Sequence, residues 1–97
     1  MSRSLVERRL TEVSERLRQL REELAVSDEQ LAHLAEIADE ARLRALVSET
    51  PLADREHHDA QRHADAMQRH RVEVLGAITR LEHAQDELLD RLVAESR

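Results

Sequence analysis

Apolar side chains recur along this chain at alternating intervals of three and four residues. From the N-terminus the series runs Val6, Leu10, Val13, Leu17, Leu20, Leu24, Ser27, Leu31, Leu34, Ala38, Ala41, Ala45, with Ser27 its one polar member. A stripe with this spacing, sustained over several heptads, predicts a helix that buries one seam against another helix. A second series follows: Ala53, His57, Ala60, Ala64, Met67, Arg71, Val74, Ile78, Leu81, Gln85, Leu88, Leu92. Its polar members His57, Arg71 and Gln85 all occupy the same heptad position, so the second helix has the less regular seam.

The two series are separated by Ser48-Glu49-Thr50-Pro51, which contains the only proline. Proline suits the first position of a helix, and a preceding threonine can cap it. Proline also steers the residue before it away from helical geometry. The pattern therefore predicts helix 1 over about 3–48, a turn at about 49–51 and helix 2 over about 51–95. So short a connection makes the helices antiparallel neighbours. A rival break at Ser27, capped with help from Gln30, is disfavoured because the heptad phase runs through it unshifted.

Facing positions in an antiparallel pair have numbers with a constant sum. A sum of 98 sets Leu10 against Leu88, Leu17 against Leu81, Leu20 against Ile78 and Leu24 against Val74. It also gathers two polar exceptions, Ser27 and Arg71, into one layer, and brings Arg42 near Asp54. A sum of 105 would set Arg71 against Leu34. Near the turn the seam is alanine, so the helices can approach closely there. Beside the seam lie further apolar residues: Ile37, Leu75, Ala77, Ala84 and Leu89. One hairpin cannot cover them all, so the expected fold class is all-α, a long antiparallel two-helix coiled-coil hairpin that dimerises into a four-helix arrangement.

Composition narrows the function classes. The 97 residues include no Phe, Tyr, Trp or Cys, and 37% of them are charged. One domain over residues 1–97 is the expectation. Zero cysteine removes disulfides, thiolate metal sites and cysteine nucleophiles. The net charge of −6, with both signs interspersed, lacks the clustered basic face that nucleic acid requires. No apolar run is long enough for a membrane span, and the first residues lack a signal peptide's apolar segment, so a cytoplasmic location is expected.

The remaining chemistry lies around the turn. His57, His58 and His63 fall close to Asp54, Glu56 and Asp59. Helical metal sites need ligands three or four residues apart that converge. Here the heptad places His57 in the seam, His58 outward and His63 beside the seam. No metal or cofactor is therefore expected; His57, His63 and Asp59 are the residues such a site would have to use. One glycine cannot form a phosphate-cradling loop, and no serine stands in a nucleophile context, so an enzyme is not expected.

Glu49, Asp54 and Glu56 form an acidic tip. That layout resembles the transcript-cleavage and secondary-channel regulators of bacterial RNA polymerase, in which an antiparallel coiled coil carries acidic residues at its tip. The resemblance implies a regulator that inserts Glu49, Asp54 and Glu56 into a large enzyme. The pattern itself points first to a non-enzymatic regulatory module that forms a homodimer and binds a further protein partner. A histidine-based metal or pH sensor is the third reading.

Overall fold

The computed structural model describes residues 2–96, and it is a helical hairpin. Helix α1 spans Arg3–Ser48 and helix α2 spans Pro51–Glu95. Alanine, leucine, glutamate and arginine dominate both segments, and these residues lose little freedom on entering a helix. Caps define the ends. The Ser2 hydroxyl accepts the Leu5 N–H at 3.2 Å. The Thr50 hydroxyl accepts the Ala53 N–H at 3.1 Å, with Pro51 opening the helix behind it. Asp54 lies in the first turn of α2, where the unpaired N–H groups favour negative charge.

Between the helices, Glu49 takes a positive φ of 52°, and its N–H bonds to the Ala45 carbonyl at 3.1 Å. This left-handed residue is the stop signal of α1, at a place usually given to glycine. Helix α1 runs through Ser27 without a break.

The chain divides into two compact units. One joins α1 up to Leu24 with α2 from Val74 onward. Its core is Leu17, Leu20, Val74 and Ile78, with Val13, Leu24, Ala77 and Leu81 packed against it. Leu17 and Val6 are completely enclosed. Across the seam, Gln85 donates to the Ser14 hydroxyl at 3.2 Å, and Arg21 pairs with Glu82 at 3.6 Å. The residue before Ser14 is Val13, the partner that the sum of 98 assigns to Gln85.

The other unit is Ala25–Glu73. Alanine fills its seam: Ala38, Ala41, Ala45, Ala53 and Ala64 are buried, and so is Ser27. Arg71 donates to the Asp28 carboxylate, next to Ser27, so the polar layer is closed within this unit by a charge-assisted bond. Ala60 is only half-buried. Arg42 departs from expectation, pairing at 3.0 Å with Asp39 one turn away on its own helix. The i, i+3 partner is within reach at no cost in helix geometry.

Candidate interaction surfaces

The tip offers carboxylates and exposed apolar groups together. Glu49, Asp54 and Glu56 are all exposed. Beside them, Leu46 is 64%, Val47 85% and Leu52 63% exposed. Leu43, Leu46 and Val47 are spaced three and four apart, so they share a helix face, and Leu43 is also open to solvent. The seam pattern gave no reason to single them out, because they lie off the heptad stripe. A count of apolar residues on the outward positions would have found them.

The histidines are dispersed. His57, assigned to the seam, is half-buried and not enclosed, since its layer neighbours are small alanines. His58 and His63 are exposed. Asp59 is held by Arg62 at 2.6 Å. Among the described residues, no three His, Asp or Glu side chains stand together as a metal site would require.

The apolar fringe beside the seam proves to be two surfaces. Leu75 and Leu89 share their heptad position with Glu82, on the flank where Arg21 pairs across. Leu75 is half-buried and Leu89 is 44% exposed. Ala77 and Ala84 occupy the opposite flank, and both are half-buried. Ile37, 37% exposed, belongs to the other unit.

The Ala84 flank is concave. A groove of about 490 Å³ runs there, floored by Val13, Ala84 and Leu88. Its walls are charged: Arg9 and Glu12 from α1, Glu87 and Arg91 from α2. In the unit at the turn, a smaller recess of about 130 Å³ lies between Ala35, Ala38, Asp39 and Arg42 on α1 and Gln61 and Ala64 on α2. Both are open to solvent.

No described helix is long and apolar enough to cross a membrane. Comparison with known proteins found no matching family model, no matching curated sequence and no matching solved structure.

Proposed function

We propose that this chain is a cytoplasmic, non-enzymatic interaction module that self-associates and docks a protein partner. One observation carries the reading: the two helices leave large apolar side chains open on their outer faces. Leu89 and Val93, four residues apart on α2, are 44% and 56% exposed, and the leucines and valine by the turn are more so. Large apolar side chains left open in groups on a helix face, in each of the two units, fit an interaction site. These exposed side chains are offered to the protein partner, while a second copy on the opposite, concave Ala84 flank gives a four-helix arrangement. Sedimentation equilibrium at micromolar concentration tests it. The expected mass is twice the chain's 11.2 kDa. A monomer that keeps full helical circular dichroism and a cooperative melt would remove self-association.

A second reading, a regulator that inserts its acidic tip into a large enzyme such as bacterial RNA polymerase, is favoured by Glu49. Its left-handed φ is costly for a side-chain-bearing residue, and strain retained at an exposed position motivates a functional hypothesis. Affinity capture from lysate should then recover polymerase subunits with the native chain. Loss of those subunits with Glu49→Ala, Asp54→Ala and Glu56→Ala combined would support it; their absence with the native chain would end it.

A further inference from the structure

Resting on the self-association reading, we infer that the groove beside Ala84 is the homodimer interface, and that its charges set the two copies antiparallel. The four charged walls are exposed, and no ion pair joins any of them to another described residue. Like faces like across the groove. In the observed register Glu12 and Glu87 stand at nearly the same level, while Arg9 and Arg91 stand one layer nearer the chain ends. A single chain therefore carries an arginine layer beside a glutamate layer, each repelling itself across a half-buried apolar floor.

A second copy satisfies both layers in one orientation only. When the two-fold axis lies in the interface and crosses the helices between the layers, the copies run antiparallel. The arginines of each then meet the glutamates of the other: Arg9 faces Glu12 on α1 and Arg91 faces Glu87 on α2. When the axis runs along the helices, Arg9 meets Arg91 and Glu12 meets Glu87, which is repulsive. Like-charge juxtaposition at an interface is a strong discriminator between arrangements. The antiparallel overlap takes in about 13 to 16 residues of each helix, roughly 20–24 Å in length. Two helices side by side are about 20 Å wide, so the two copies together bury roughly 900 Å², the size of a weak, reversible contact in which charge pairing decides the orientation. Leu5 and Ala94 share the heptad position of Glu12 and Glu87 and add apolar surface to the rim of the same flank.

Charge reversal tests this. Arg9→Glu with Arg91→Glu makes an all-acidic groove, and Glu12→Arg with Glu87→Arg makes an all-basic one. Each variant alone should weaken the dimer by about tenfold or more in sedimentation equilibrium, with unchanged helical circular dichroism. An equimolar mixture of the two should form a heterodimer tighter than either homodimer. The fourfold swap on one chain should restore dimerisation. If Arg91→Glu alone tightens the dimer, the copies are parallel and the inference fails. If the native chain is a dimer that ignores all charge reversals but is broken by Leu89→Glu, the interface lies on the opposite flank. A native monomer would instead defeat the self-association reading on which this rests.

Discussion

Glu49 is held in the left-handed region by its position between Ser48 and the capped start of α2. For an L-residue with a side chain this conformation costs about 1–2 kcal/mol relative to right-handed geometry. Glu49→Gly removes that cost but adds freedom to the unfolded chain. The net expectation is a gain of about 1 kcal/mol, seen as a melting temperature several degrees higher. Thr50→Ala should act in the opposite sense, losing about 1 kcal/mol with the cap to the Ala53 N–H. At Leu17, which is fully enclosed, truncation to Ala should cost about 2–5 kcal/mol in urea unfolding. The Glu15 carboxyl is held below its ordinary value by the hydrogen bond from Arg18, with the guanidinium charge adding to it. A carboxylate whose folded pKa is depressed lends stability above its unfolded pKa, and loses it as pH falls toward the folded one. Both partners are exposed, so the effect on stability is small. The sharper measurement is a carbon-detected NMR titration of Glu15, in which Arg18→Gln should move its midpoint back up.

At the scale of elements, the seam was legible because helix periodicity and burial follow from one cause. A residue on the a or d stripe cannot avoid the neighbouring helix, so Leu17, Leu20, Val74 and Ile78 could be placed from spacing alone. Thr50-Pro51 marked the turn through backbone constraints that act locally. What lay outside the heptad was harder to read. The outward Leu43, Leu46 and Val47 obey no rule of the seam, and the two flanks of a hairpin differ only once the helices are paired. That is why Leu89 and Ala84 read as one fringe and fold onto opposite sides. His57 was legible as a stripe position but not as half-buried, because exposure there depends on how far small alanine neighbours leave it open. Register can be tested directly. Cysteines replacing Leu17 and Leu81 should crosslink within one chain under mild oxidation, as should those replacing Leu24 and Val74. Efficient linkage of positions 24 and 81 would instead report a slip of one heptad. Ala41→Leu should destabilise by about 1–3 kcal/mol, since Ala41 is 2% exposed in a close-packed seam with no room for the added methylenes.

At the scale of the whole molecule, charge decides behaviour with pH. The chain carries −6 with its six histidines neutral, and its sequence pI is about 5.5. Protonating those histidines carries the net charge toward zero, which weakens the self-repulsion that keeps copies apart. The helices need not melt as this happens: the core is Leu, Val, Ile and Ala, and no histidine belongs to it. Lowering pH from 7.5 to 5.5 should therefore increase association or precipitation while helical circular dichroism stays nearly constant. Light scattering and dichroism on the same samples read the two effects separately. Zinc distinguishes this colloidal response from a specific site. With the histidines dispersed and Asp59 paired to Arg62, added zinc should leave the melting temperature unchanged at pH 7.5. A rise of many degrees that His57→Leu or His63→Ala abolishes would mean that a metal draws the turn-proximal histidines together, and the sensor reading would displace the interaction module.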